Sequence, residues 1–254
     1  MEGKMRSLER AIDLLELLSA IGPSALHDLH LQSGLPKSTV KRLLDTLTRR
    51  NLIRRGLSDR NYRLNIAISE PGDAAHMTQI ARLVKAASPH MARLTQEIKW
   101  PVDLHVFKNG RMQIVETTHA LSEFESDDKR RIYDLELNVF VAASGIAYLA
   151  NKSDQFTRDL IETMAPEGRF SLQHYRISLD RLYREIERAQ VQGYARRLAR
   201  QNGKAGFNAI GYFISSSDGG EGAVSVRWPR SYLSTRNFMK RYGEQITNAV
   251  GLIA

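Results

Sequence analysis

The ten residues from Leu35 to Leu44, LPKSTVKRLL, constrain the fold of this chain more than any other stretch. From Val40 onward, apolar side chains at Val40, Leu43, Leu44 and Leu47 recur at i, i+3, i+4 and i+7, the pattern of a helix with one buried face. On such a helix Ser38, Arg42, Asp45 and Arg49 point away from that face, and Lys41 lies beside them. Pro36 suits a first helical turn, because the N–H it lacks would have no partner there. The pattern predicts a helix over 36–47 with a core stripe on one side and a cationic stripe on the other.

The flanking sequence completes a three-helix unit. Ser7 is a candidate N-cap for a first helix with an apolar face of Leu8, Ala11, Ile12, Leu15 and Leu18, although Arg10 denies it a capping box. Ile21-Gly22-Pro23-Ser24 breaks that helix. A second helix over 25–32 stops at Ser33-Gly34, where glycine can take the left-handed backbone of a sharp turn. After the third helix, the segments 52–55 and 61–64 bracket the polar stretch 56–60, which predicts a two-stranded ribbon with a loose loop, a wing.

Charge points the same way. Between Lys37 and Arg63 nine Lys and Arg face only Asp45 and Asp59, so this window matches most of the chain's net charge of +9. A local positive patch can replace counterions condensed on duplex DNA. Lys37, Ser38, Thr39, Lys41 and Arg42 are expected at the major groove and adjacent phosphates. Arg49 shares their outward stripe, and Arg54, Arg55, Arg60 and Arg63 are expected on the backbone or minor groove. The competing reading is a solvated basic helix in an ordinary domain.

At 254 residues the chain has room for two domains, and it contains no cysteine, which excludes disulfides, thiolate metal sites and a cysteine nucleophile. No apolar run approaches bilayer length and no signal-peptide core follows Met1, so a soluble cytoplasmic protein without membrane contact is expected. Pro71-Gly72 marks a turn. Helices are expected over 74–84 and 88–97, with Ser88-Pro89 starting the second, and the domains divide as 1–75 and 76–254. Beyond them, strands over 102–107 and 112–117 flank Asn109-Gly110, and a second hairpin joins 208–215 to 222–228. Helices are expected over 142–150, 160–165, 179–192 and 234–253. The class is α+β.

Within this second domain, small residues at Val141-Ala142-Ala143-Ser144-Gly145-Ile146-Ala147 open a helix. They suit either close approach of a ligand to backbone N–H groups or a tightly packed helix start. Enzyme signatures are missing: there is no Gly-x-Ser-x-Gly elbow, no Walker lysine loop and no Gly-x-Gly-x-x-Gly after a strand. His27 and His30 sit three apart on a helix without a third metal ligand. His105 and His119 could meet Asp103 across the first hairpin as a metal or acid/base site, or be ordinary core-edge histidines. No catalytic residue, metal or cofactor is assigned.

Ser7-Leu8-Glu9-Arg10-Ala11, the run Ser33-Gly34-Leu35-Pro36-Lys37-Ser38-Thr39-Val40 and Tyr62-Arg63-Leu64 together resemble the N-terminal domain of the IclR family of bacterial transcriptional regulators. The resemblance implies a winged helix-turn-helix, a linker helix and a C-terminal effector-binding domain of GAF-like fold with a central antiparallel sheet. It also implies dimers, or dimers of dimers, on double-stranded operator DNA, with RNA polymerase as a partner if the protein activates. Ala143, Ser144 and Gly145 match the family's small-residue pocket segment, and Asn208 and Ser225 fall on its pocket-side strands. Lys99-Trp100-Pro101-Val102-Asp103 and Glu116-Thr117-Thr118-His119 resemble the subgroup that includes the activator of hydroxyphenylpropionate catabolism, which implies an aromatic carboxylate effector. On that resemblance Arg130 or Arg131 would take the carboxylate, and His119 or Ser144 a ring hydroxyl. The plainer reading of Lys129-Arg130-Arg131 is a solvated run balancing Glu123, Glu125, Asp127 and Asp128. The whole reads as a ligand-responsive transcription factor. A small-molecule enzyme with a basic N-terminal domain and a nonspecific architectural DNA-binding protein are the alternatives.

Overall fold

A computed structural model describes residues 2–65, 71–123, 136–164, 170–198, 206–216 and 219–253, and the chain divides into two units, Met1–Arg82 and Leu83–Ala254. In the first unit α1 (Glu2–Ile21) starts before Ser7, which is therefore helical rather than a cap; no proline stands upstream to stop the helix there. Its inward stripe is Ala11, Leu14, Leu15 and Leu18, and Leu8 and Ile12, expected inside, are 63% and 45% exposed. Four residues at i, i+3, i+4 and i+7 suffice to face the core, and the wider apolar set on this helix left two candidate stripes. Helix α2 (Leu26–Ser33) ends at Gly34 with φ of 66°, the left-handed turn into α3 (Lys37–Arg49). Val40, Leu44 and Leu47 of α3 join Leu14, Leu18 and Leu29 in one core, closed by Ile53 and Tyr62 of a short antiparallel ribbon, β1 (Ile53–Arg55) and β2 (Tyr62–Leu64). Backbone bonds between Ser24 and Tyr62, 3.1 and 2.8 Å, tie the ribbon to the segment before α2.

Helix α4 (Pro71–Ile98) corrects the two expected helices to one, with Pro89 inside it. Proline at that point forfeits the bond to the carbonyl of residue 85. The Ser88 hydroxyl donates to the Val84 carbonyl at 2.7 Å, and Leu83, Val84, Ala87, Met91, Leu94 and Ile98 are all buried, so packing outweighs the local break.

The second unit is built on a six-stranded antiparallel sheet in the order β5-β4-β3-β8-β7-β6. Its strands are β3 (Val102–Lys108), β4 (Arg111–Thr117), β5 (Glu136–Asn138), β6 (Ala195–Arg196), β7 (Phe207–Ser215) and β8 (Glu221–Pro229). Asn109 and Gly110 both have positive φ, 51° and 78°, which matches the twist of the β3–β4 hairpin. The short strands β5 and β6 have no sequence signal, being too brief for a period. Helices α5 (Ala143–Leu149), α6 (Asp154–Thr163), α7 (Leu179–Gln192) and α8 (Thr235–Gly251) complete it. Serines 153, 178 and 234 cap the last three, each accepting a backbone N–H. The cap at Ser153 starts α6 six residues before the expected helix over 160–165.

Strand alternation divides the sheet's side chains. Tyr212 of β7 faces α8, where its hydroxyl lies 3.5 Å from Thr247 Oγ1, and Trp228 of β8 stacks on Phe238 of α8 at 3.6 Å. The opposite parity, Asp103, His105, Ser225, Arg227, Ala209 and Gly211, faces α5. Among the described residues no helix is long and apolar enough to cross a membrane.

Candidate functional site

In the first unit, the burial of Val40, Leu44 and Leu47 turns the other side of α3 outward. Lys37, Ser38, Lys41, Arg42 and Arg49 are exposed there, and Thr39 is half-buried. Lys41 Nζ pairs with Asp45 at 3.0 Å, an exposed i,i+4 contact that a phosphate can displace at little cost. Arg50, a further cation of this window, is exposed at the helix end. The start of α3 is held by α2, since His30 Nδ1 lies 2.7 Å from the Leu35 carbonyl and so carries the proton it donates.

The wing corrects one expectation. Arg63 is 6% exposed, and its guanidinium donates to both carboxylate oxygens of Asp59, at 2.9 and 2.6 Å, so it pins the ribbon's loop rather than facing outward. Arg54 is half-buried and donates to the Leu64 carbonyl and Asn65 Oδ1. Arg55 lies exposed over the Tyr62 ring at 5.4 Å, and Arg60 is exposed beside the loop with φ of 60°. Burial raises the Asp59 carboxyl, but the bonds from Arg63 and from the Asn61 N–H outweigh it, and the net effect holds the group below its ordinary 3.8. A depressed carboxyl stabilises the folded wing above the unfolded value and loses that contribution as pH falls through the lower, folded one. The Arg63 guanidinium protons should therefore be protected from exchange at pH 5 and lose protection only below pH 3.8, measured by NMR. Loss already at pH 5 would deny the pairing.

In the second unit, a cavity of about 370 Å³ lies between the sheet and α5. It exists because two glycines let α5 press close: a Cβ on Gly211 would lie 2.5 Å from the Ala143 carbonyl oxygen, and one on Gly145 would lie 2.1 Å from that of Val139. Gly211, Ser225 and Asp103 are directly opposed across β7, β8 and β3, so Ser144 comes to rest above that row. One rung along is His105 opposite Ala223; one rung the other way is Arg227 opposite Ala209, whose carbonyl accepts the Arg197 N–H at 3.1 Å. Aromatic wall is supplied by Phe170, Tyr175 and Phe207.

The electrostatics of this cavity are unbalanced. Asp103 is 2% exposed, accepts the Thr117 hydroxyl at 2.6 Å and lies 3.4 Å from Arg227 Nε, so those two charges offset each other. Glu136, at the rim, is taken by Arg111 at 2.5 Å. Arg197 has no carboxylate or hydrogen-bond partner for its guanidinium among the described residues. Burial, and then the like charges of Arg230 and Arg227, hold its pKa below the ordinary arginine value, although Tyr175 opposes them. Burial, with a smaller push from Arg227, likewise drives His105 down to about 4 against the pull of Asp103 and of the adjacent Ala223 backbone, so its imidazole is neutral at pH 7. Among the described residues, neither His105 nitrogen nor the Ser144 hydroxyl, all buried, has a formed hydrogen bond.

Of the expected ligand residues, Ala143, Ser144 and Ser225 line the cavity together. Three are placed otherwise among the described residues. Gly145 packs on Val139. His119 is buried in a 3₁₀ turn (His119–Leu121), where its N–H meets Thr117 Oγ1, and Asn208 turns to the opposite sheet face, donating to the Leu233 carbonyl at 3.1 Å. Arg130 and Arg131 lie outside the described residues. Asp103 and His105 do share a face, but His119 is not with them, and among the described residues no group of three His, Asp or Glu could hold a metal ion. Arg197 and Arg227 were missed. The only signal for Arg227 is the alternation Ala223, Ser225, Arg227 on a strand whose inward parity Ser225 sets.

Comparison with known proteins matches two segments of the chain. Residues 7–56 match the model of the IclR helix-turn-helix domain, and residues 75–253 match that of the C-terminal domain of the bacterial transcriptional regulator IclR. Among solved structures, an IclR family transcriptional regulator from Brucella abortus is 20% identical with a TM-score of 0.55, over 97% of this chain and 90% of that one. An IclR homologue from Microbacterium hydrocarbonoxydans, complexed with 4-hydroxybenzoate, is 21% identical with a TM-score of 0.52 over 97% of each chain. The IclR protein of Thermotoga maritima is 15% identical with a TM-score of 0.56, over 98% of this chain and 97% of that one. At these identities the likeness is one of fold.

Proposed function

This chain belongs to the IclR family, whose members are DNA-binding, ligand-responsive transcriptional regulators and not enzymes, and from that premise we propose that it answers to a small aromatic carboxylic acid held between α5 and the sheet. One observation carries the reading: Arg197 is a half-buried cation that has no counter-charge among the described residues, on a cavity walled by aromatic rings. A carboxylate would supply that charge and accept the bidentate bonds a guanidinium offers. The 4-hydroxybenzoate bound by the Microbacterium hydrocarbonoxydans homologue is an acid of this kind. The effector shifts the protein between arrangements of its DNA-binding units only so far as it prefers one of them.

On the DNA side, Lys37, Ser38, Thr39, Lys41 and Arg42 address the major groove and adjacent phosphates, with Arg49, Arg55 and Arg60 on the backbone. The protein acts as a homodimer or a dimer of dimers, because paired half-sites require paired readers. Two measurements test this. A panel of aromatic acids should include one that raises the melting temperature by preferential binding to the folded state; no shift from any of them would sink the acid reading. Arg42→Ala should weaken gel-shift affinity for the protein's own upstream intergenic DNA by about 1–3 kcal/mol, some 5- to 150-fold, with an unchanged melting temperature. Wild-type binding to that DNA no tighter than to random duplex would reject sequence-specific reading by α3.

A further inference from the structure

Resting on the reading of the cavity as an acid site, we propose that His105 and Ser144 form a second, uncharged recognition point in it, built to read a hydroxyl on the acid's far end. Both side chains are 1% exposed, both line the cavity, and among the described residues neither His105 nitrogen nor the Ser144 Oγ has a formed hydrogen bond. Buried polar atoms in folded proteins are nearly always satisfied, so three orphans on one cavity wall mark the place where a ligand supplies the partners. The chemistry of those atoms narrows the partner. A neutral imidazole offers one donor and one acceptor, and a serine hydroxyl offers both, so the group that satisfies them best also donates and accepts.

Charge excludes the other ends an acid could present. A second carboxylate at His105 would face Asp103, two residues away on the same strand face and 2% exposed. A bare hydrocarbon end would leave all three atoms without partners. The register separates the two recognition points: His105 stands opposite Ala223 and Arg197 bonds beside Arg227, four residues further along β8. At ~3.4 Å per residue along the strand and ~4.8 Å for each of the three strand steps from β3 to β6, the two anchoring backbones are about 20 Å apart before the side chains reach inward, room for one ring between carboxylate and hydroxyl. The ligand class is a monocarboxylic aromatic acid with a hydroxyl opposite the carboxylate.

Calorimetry on the full chain with matched pairs tests this: benzoate against 4-hydroxybenzoate, phenylacetate against 4-hydroxyphenylacetate, 3-phenylpropionate against 3-(4-hydroxyphenyl)propionate, and terephthalate as the dicarboxylate. In the pair of the right length, the hydroxy acid should bind at least about tenfold more tightly than its deoxy partner, since a site built to bond a hydroxyl rejects the analogue without one. Ser144→Ala and, separately, His105→Gln should each shrink that ratio. Equal affinities within every pair, tighter binding of terephthalate, or a ratio untouched by Ser144→Ala would overturn the hydroxyl reading and leave the acid site standing. Failure of every acid to bind would overturn both.

Discussion

Replacing Gly145 by alanine is expected to lower the melting transition of the second unit by roughly 6–12 °C, the shift that corresponds to about 3 kcal/mol in a domain of this size. The added methyl would meet the Val139 carbonyl oxygen at 2.1 Å and its Cα at 2.5 Å. Both are backbone, so no rotamer change can yield the space. Helix α5 has no room to retreat on its other side, because a Cβ at Gly211 would already lie 2.5 Å from the Ala143 carbonyl. Displacing α5 would also move Ala143 and Ser144, so acid binding should fall with stability. Both tryptophans, Trp100 and Trp228, belong to the second unit, and their fluorescence reports its unfolding alone. Gly251→Ala, with nothing within 4 Å of the added carbon, is the control and should melt with wild type. A Gly145→Ala protein melting within a degree of wild type would refute the packing account.

Arg197→Gln is expected to cost about 2–4 kcal/mol of acid binding, roughly 30- to 1000-fold in Kd, because it removes the charge the carboxylate pairs with inside a partly desolvated cavity. Its signature is that the ligand-free protein loses no stability. The guanidinium is held below its ordinary pKa by burial and by Arg230 and Arg227, so a neutral amide relieves a cost rather than breaking a bond. Gel-shift affinity for operator DNA without ligand should stay as in wild type, while the acid no longer alters it. A drop in ligand-free melting temperature with unchanged acid affinity would make Arg197 a structural residue and move the carboxylate elsewhere.

Much of the architecture was legible where local chemistry is strong. The i, i+3, i+4, i+7 series on α3, the glycine at 34, the Asn109-Gly110 turn and the span of α7 all follow from backbone rules that tertiary contacts seldom override. The site was harder because its residues have no mutual spacing. Arg196 and Arg197 are adjacent on a strand edge, yet Arg196 ion-pairs with Glu185 of α7 while Arg197 joins the cavity. Successive strand residues face opposite ways, and which way β6 faces is set by its pairing with β7, fourteen to sixteen residues later. Arg63 shows the converse. Counted as a cation for an external partner, it is spent on Asp59 four residues earlier, a pairing that exists only once the loop folds back.

Composition, periodicity and turn chemistry thus determined that a basic winged helix-turn-helix precedes an α+β domain, because each of those signals acts within a few residues of chain. Which face of α1 is buried, whether Pro89 breaks α4, which arginines remain available, and that Asp103, His105, Ser144, Arg197 and Ser225 share one cavity were decided only by the tertiary structure. The cavity residues span more than a hundred positions, and only strand pairing and the close approach of α5 at Gly145 and Gly211 bring them together.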